Sequence, residues 1–355
     1  MAPKPAPPLP PGKPCGLPNR RQVMAGGLAG LASMTLPDLA NAETREALTF
    51  FRIGTGPPSE TLYSLGTAIS AGISRPPGSR PCDEGGVCGV PGLIAVAQSR
   101  EGSIPNIRDM RNYELESALV YADIAYWAYK GGGPFTDGRG VPDLRVIADL
   151  IPVSLHAVVR ADSDIHSIRD LRDKVVSVGP NGSGTDRIVD VLLRANGLSM
   201  TEIHPVRLGP GPAADRMISG DIDAFFDMGA YPIDAVVELT DEIDIRLLTI
   251  DPLTMETLKP FFPFLRNGRI PIGAYRGTEE ADTAKLGVHW VVRESTDAAL
   301  IEAITRALWQ SSTADVFNLN NPGHRFPTIG EGRPQGLIPT HSGAEAYYSE
   351  VSRTG

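Results

Sequence analysis

From Leu48 to Ile250 short apolar runs alternate with stretches of helical apolar spacing, and no other feature of the chain constrains its fold as tightly. Leu48 to Ile53 is an apolar run broken by Gly54-Thr55-Gly56-Pro57-Pro58. Ser59 then stands at a helix-cap position, and Leu62, Leu65, Ile69 and Ile73 follow at near-helical intervals. The pattern repeats in Leu93 to Ala97 with Ser103 to Met110, and in Ser117 to Tyr121 with the aromatic segment Asp123 to Tyr129, which Gly131-Gly132-Gly133-Pro134 stops. Leu144 to Leu150 and Ser154 to Arg160 read as two closely spaced strands that cross between lobes. Next come Val175 to Val178, the loop Gly179-Pro180-Asn181-Gly182-Ser183-Gly184, and a helix from Thr185 to Asn196 that Gly197 ends. Ile222 to Asp227 is a further strand meeting the turn Gly229-Ala230-Tyr231-Pro232, and Ile245 to Ile250 is expected to return the chain to the first lobe. Such alternation predicts an α/β fold of mainly parallel sheets covered by helices, with ligands received at the carboxyl ends of the strands.

Residues 1–42 stand apart. A Pro-rich stretch leads to Arg20-Arg21, then the small apolar run Val23 to Leu36, then Ala40-Asn41-Ala42. A basic region, a short hydrophobic region and a small-x-small site in that order form an export signal, and the paired arginines point to the twin-arginine route. A spanning helix needs roughly 20 apolar residues, which this run does not reach. The expected organisation is therefore a signal over 1–42, the first part of lobe 1 over 43–150, lobe 2 over 151–250, and a return to lobe 1 with C-terminal helices over 251–355.

With 33 Lys+Arg against 42 Asp+Glu the net charge is −9, so no general cationic field attracts nucleic acid. Losing Lys4, Lys13, Arg20, Arg21 and Asp38 with the signal takes the net charge from −9 to −12, so an anion site has to be local. Cys15 lies among prolines and has no apolar run before it, which argues against a lipoprotein cysteine. Cys82 and Cys88 have five residues between them, with no histidine nearby to complete a metal site, and a small loop disulfide is the expectation.

Two glycine-rich loops, at 54–58 and 179–184, each follow an apolar strand and precede a helix, so that backbone N–H groups and the positive helix end can meet a carboxylate or phosphate. Competing motifs fail. Gly54-Thr55-Gly56 has Ser59 where a dinucleotide fingerprint needs its third glycine, no Gly-Lys-Ser/Thr ending occurs, and Asn181 and Thr185 stand where a nucleophile elbow around Ser183 needs glycine. Ser183 is either a ligand-binding hydroxyl or a helix cap, and Asp123 either accepts from a ligand amine or caps its own helix. Tyr121, Tyr126, Trp127 and Tyr129 line a cleft or belong to the core, with the core favoured for Trp127, and Phe225 and Phe226 read as buried strand residues.

From about residue 50 to 350 the chain resembles the TAXI family, the solute receptors of one class of tripartite ATP-independent periplasmic (TRAP) transporters. The likeness is carried by Ile53-Gly54-Thr55-Gly56 with Leu62-Tyr63-Ser64-Leu65-Gly66, Ala97-Gln98-Ser99 with Gly102-Ser103 and Asn106, Tyr121-Ala122-Asp123-Ile124-Ala125-Tyr126, and Gly132-Gly133-Pro134-Phe135. It continues through Leu155-His156-Ala157-Val158-Val159-Arg160, Val176-Ser177-Val178-Gly179-Pro180 with Gly182-Ser183-Gly184-Thr185, and Asp221-Ile222-Asp223-Ala224-Phe225-Phe226. The resemblance implies a type II periplasmic-binding-protein fold: two α/β lobes, a ligand cleft between them and hinge strands. It implies a small organic anion as ligand, glutamate-like or a dicarboxylate, and transporter membrane subunits as partners, with no cofactor and no metal. The matching cleft positions are Thr61, Tyr63, Ser99, Ser103, Asp123, Ser183, Gly184 and Thr185.

This sequence departs from the family pattern in three places. Pro57, Pro58, Ser59 and Glu60 replace a glycine-richer loop, Arg100-Glu101 replace smaller residues, and Ala230-Tyr231-Pro232-Ile233 replaces Gly-x-Pro-Asn. Arg100 either pairs with a ligand carboxylate or reaches solvent. A periplasmic ligand sensor and an enzyme on the same fold are the alternatives, and no nucleophile-base pair is visible for the second.

Overall fold

The computed structural model describes residues 48–58, 61–136, 138–181, 183–260, 262–320 and 325–354. The expected export signal, Cys15 and the Ser59 cap lie outside them. Strand β1 (Thr49–Gly54) leads to helix α1 (Thr61–Ile73), where Leu62, Leu65, Ile69 and Ile73 are all buried as their spacing predicts. A short strand β2 (Ser74–Arg75) pairs with β3 (Val90–Pro91) across a loop closed by the Cys82–Cys88 disulfide, whose Cα atoms are 4.8 Å apart. Then follow β4 (Leu93–Gln98), α2 (Ser103–Arg111), β5 (Ser117–Tyr121) and α3 (Ala122–Lys130). Strand β6 (Leu144–Arg160) precedes β7 (Val175–Ser177), α4 (Gly184–Ala195), β8 (His204–Val206), α5 (Pro210–Ser219), β9 (Ala224–Gly229), α6 (Asp234–Glu242) and β10 (Ile245–Leu247). The chain closes with α7 (Pro252–Leu258), β11 (Arg266–Ile270), β12 (Ala281–Arg293), α8 (Ala298–Leu308), α9 (Ser311–Asn320), α10 (Ile329–Gly332) and α11 (Ser342–Thr354).

One sheet runs in the order β4-β1-β5-β12-β6-β9-β7-β8, with β10 beside β6 and β11 beside β12. The outer parts are parallel, as the alternation predicts: β1 with β4 and β5 at one end, β7 with β8 and β9 at the other. The middle is antiparallel, β5-β12-β6-β9, so the sheet is mixed. The result is two α/β halves joined by long strands, the expected two-lobed layout. Phe51, Ile53, Leu119 and Trp290 pack under α1, whereas Val120, Val146 and Val291 face α2 and α3 on the opposite side of the sheet.

Two expectations need correcting. The segments 144–150 and 154–160 are one continuous 17-residue strand, not two. Pro152 has no N–H for a ladder, yet the strand runs on through it: it stands exposed opposite Gly287 of β12, two residues before Ser154, where pairing with β9 begins. Strand β10 does not itself return the chain to the first half: it lies along Val158 to Arg160, and Ile270, Tyr275 and Ala281 still pack with Phe225 and Val236. The return is β12, a strand whose sequence gave no separate signal because Lys285, Gly287 and His289 interrupt its apolar run.

Candidate functional site

At the ends of β1, β4 and β5 polar side chains lock the backbone. Thr55 is fully buried, and its N–H and hydroxyl both donate to the Gln98 carbonyl at 2.9 Å. Asn106 on α2, also fully buried, donates through Nδ2 to the carbonyls of Thr55 (3.0 Å) and Leu119 (3.1 Å). Gly54 is required there, because a Cβ would lie 2.6 Å from Asn106 Oδ1. Ser103 Oγ accepts from the Tyr121 N–H at 3.1 Å, so this expected ligand contact holds the start of α2 against the end of β5.

Asp123 follows in the first turn of α3. It is fully buried, and neither carboxylate oxygen has a hydrogen-bond partner. Burial pushes its pKa up to about 6 against the pull of the nearby Ile124 N–H, which falls short of hydrogen-bond geometry, and of the Arg187 charge.

From the other half, β7 runs into Gly179, whose φ of +87° and contact with Thr185 both exclude a side chain; a Cβ would sit 2.7 Å from Thr185 Cβ. Ser183 caps α4, its Oγ accepting from the Asp186 N–H at 3.1 Å, and Thr185 is buried behind it. Gly184 begins the helix directly against the first half: a Cβ there would lie 3.3 Å from Tyr121 Cδ2 and 3.7 Å from Asp123 Oδ2. Tyr121 Oη donates to the Met228 carbonyl at 3.3 Å, a link from β5 to β9. Arg187, one turn along α4, lies 5.3 Å above the Trp127 ring, and its Nε has no hydrogen-bond partner. Trp127 is half-buried and stacks edge-on against Phe262 and Phe264, so it serves the core and carries the cation too.

The structure thus brings Ser103, Asp123, Ser183, Gly184 and Thr185 to one junction. Thr61 and Tyr63 are half-buried in the first turn of α1 and take no part in those contacts. Ser99 and Arg100 line a surface hollow with Pro57, Glu101, Pro105 and Arg108. Arg100 is neither free for a ligand nor simply solvated, since its Nε donates to Asp109 Oδ2 at 2.9 Å and its Nη2 to Gln98 Oε1 at 2.7 Å. Sequence reasoning missed Arg187, although its place three residues after Gly184 puts it on the same face of α4. Among the described residues no group of three or more His, Cys, Asp and Glu side chains is arranged to hold a metal.

The turn after β9 is held differently. Tyr231-Pro232 is a cis peptide, and the Ile233 N–H donates to Tyr275 Oη at 2.9 Å. Tyr275 Oη is 2.8 Å from His156 Nε2, and His156 Nδ1 is 3.0 Å from the Ser154 carbonyl. A carbonyl only accepts, so Nδ1 carries the proton, Nε2 accepts, and the tyrosine donates. Burial lowers the His156 pKa to about 4 and raises that of Tyr275, which keeps both neutral.

The family model described as NMT1-like matches residues 53–351. Among solved structures, a TctC solute binding protein from Polaromonas aligns at 15% identity over 86% of this chain and 98% of its own, with a TM-score of 0.49. The periplasmic aliphatic sulphonate binding protein SsuA of Escherichia coli aligns at 13% identity over 86% and 84%, TM-score 0.45. The alkanesulfonate-binding protein SsuA of Xanthomonas axonopodis pv. citri, bound to MOPS, aligns at 12% over 86% and 92%, TM-score 0.45.

Proposed function

The chain belongs to the NMT1-like family, and from that premise we propose that it is a non-catalytic periplasmic solute receptor of the TAXI kind, which hands a small organic anion to TRAP transporter membrane subunits. One observation carries this reading: Asp123 from one half and the start of α4 with Arg187 from the other meet at a junction bridged by two long strands. A ligand carboxylate suits the α4 N–H groups and Arg187, and a ligand ammonium suits the unpartnered Asp123 carboxylate. A glutamate-like solute offers both. In such a receptor ligand contacts from both lobes favour the closed state, which the membrane subunits then read. Lobe 1 is taken to comprise 43–150 and the C-terminal part of the chain. Lobe 2 then starts at 151 and runs past 250 as far as Ala281, because the intervening residues pack on it. Export through the signal at 1–42 belongs to the same proposal.

Calorimetry with glutamate, 2-oxoglutarate and C4 dicarboxylates tests it. One of them is expected to bind, and Arg187→Ala or Arg187→Gln to weaken it at least tenfold, since a hydrogen bond to a charged group contributes about 1.5 to 3 kcal/mol. Binding of an uncharged solute alone, indifferent to both substitutions, overturns the anion and the site together.

A further inference from the structure

A second cavity, of about 80 Å³, opens on the hinge rather than between α3 and α4. Its wall is Ala122, Val146, Phe264 and Gly287; its polar groups are Asp149 on β6, His289 on β12, and Arg266 and Gln335. None of Tyr121, Asp123, Gly184, Arg187 or Met228 lines it. His289 is 7% exposed, and its Nε2 has no hydrogen-bond partner. Its Nδ1 stands 2.5 Å from Asp149 Oδ1, an ion-pair distance at which Nδ1 of the neutral ring carries the proton, so Nε2 is the acceptor left for whatever enters, beside the charge of Asp149. Buried polar groups without partners are rare in folded proteins and call for an occupant.

The polarity of the cavity is ordered. Asp149 and His289 lie at its floor, mostly buried, whereas Arg266 and Gln335 are exposed at its mouth. A hydrogen-bond donor with positive charge suits the floor and an anionic acceptor suits the mouth. The volume admits about three heavy atoms, scaled from cavities of ~150 Å³ that take a benzene ring. That is room for an ammonium group and the carbon bearing it, with a carboxylate left in the mouth beside Arg266.

We propose that the hinge cavity bounded by Asp149 on β6 and His289 on β12 is a binding site for a small zwitterion of the α-amino-acid class, separate from the α4 junction. An occupant there touches both long strands and the 334–338 segment at once, so its binding is coupled to the hinge.

The probe is glycine, titrated into the full exported chain by calorimetry beside ammonium chloride and sodium acetate. Glycine is expected to bind at least tenfold more tightly than either salt, and a crystal structure with glycine to show its nitrogen against Asp149. Asp149→Asn is expected to weaken glycine at least tenfold. Gly287→Val changes no charge and directs its side chain into space that is open around Gly287, so it is expected to abolish binding, with unfolding curves showing that each variant is folded. Four results overturn the proposal: no glycine binding, water alone in the cavity, glycine seated only at the α4 junction, or acetate bound as tightly as glycine. Three of these leave the Arg187 junction untouched and glycine at the α4 junction would support it, so the receptor reading stands or falls separately.

Discussion

His156 and Asp123 are both sealed from solvent, one on a hinge strand and the other at a strand end. Their surroundings differ in kind. Every hydrogen-bonding atom of the His156 ring has a partner, in a relay that ends on the turn after β9. The Asp123 carboxylate has none, and it faces the start of a helix from the other half of the molecule. A satisfied buried group is consistent with a purely structural role, whereas an unsatisfied one lowers stability by an amount that only a ligand or a moving element can recover. The pair separates the part of the interior that holds the fold from the part kept ready for binding.

The largest expected effect is on the satisfied side. His156→Ala removes a buried ring and leaves Tyr275 Oη and the Ser154 carbonyl without their partner, so unfolding in urea should show a loss of about 3 kcal/mol. A loss below about 1 kcal/mol would mean that the relay is dispensable and the contrast is wrong.

Next in size is a gain. The folded pKa of Asp123, about 6, lies above its unfolded value near 3.9, so between those values the folded chain holds a proton that the unfolded chain has released. Stability therefore falls as pH rises from about 4 to 6 and stays low above, by about 2 to 3 kcal/mol in all. Asp123→Asn should raise stability by about 2 kcal/mol at pH 7 and by almost nothing at pH 4. His156 slopes the other way: its pKa is lowered to about 4, so the unfolded chain takes up the proton first and stability is lost as pH falls from about 6.5 to 4. The two slopes oppose each other in the parent protein, and the Asn variant should expose the histidine slope, to which His341, also lowered by burial, adds. Destabilisation by Asp123→Asn at pH 7 would mean that the carboxylate has a partner after all.

The smallest effect concerns Arg100. Its pair with Asp109 is partly exposed, so Arg100→Ala should cost less than about 1 kcal/mol and leave affinity for the anionic ligand unchanged. A tenfold loss of affinity would return Arg100 to the site.

Much of this was legible before any coordinates. The spacing of Leu62, Leu65, Ile69 and Ile73 locates α1, and Ser117 to Tyr121 is a strand to the residue, because local apolar period and glycine punctuation are what a sequence displays. Ser183 illustrates a half-legible residue: its side chain caps α4, one of two roles that the sequence leaves open. Arg187 over Trp127, Tyr121 on Met228, and Asp149 beside His289 were not legible, since each joins residues at least 60 positions apart and depends on how the halves close. The continuity of β6 was not legible either, since nothing local in 151–153 shows that Pro152 pairs with Gly287 and that Ser154 then takes on β9.

That proline has a mechanical consequence. Arg160 lies eight residues beyond it on the same strand, about 26 Å at the usual rise. The β6 ladder lacks a donor where Pro152 faces Gly287, next to the register shift between Gly287 and His289. Strand and crease together make a lever: a twist of about ten degrees at Pro152 swings the far tip by about 4 to 5 Å. A displacement of that size would exceed the 3.7 Å that a side chain at Gly184 would have to Asp123, so in the proposed receptor the opening of the junction would be set by the stiffness of a single crossing point.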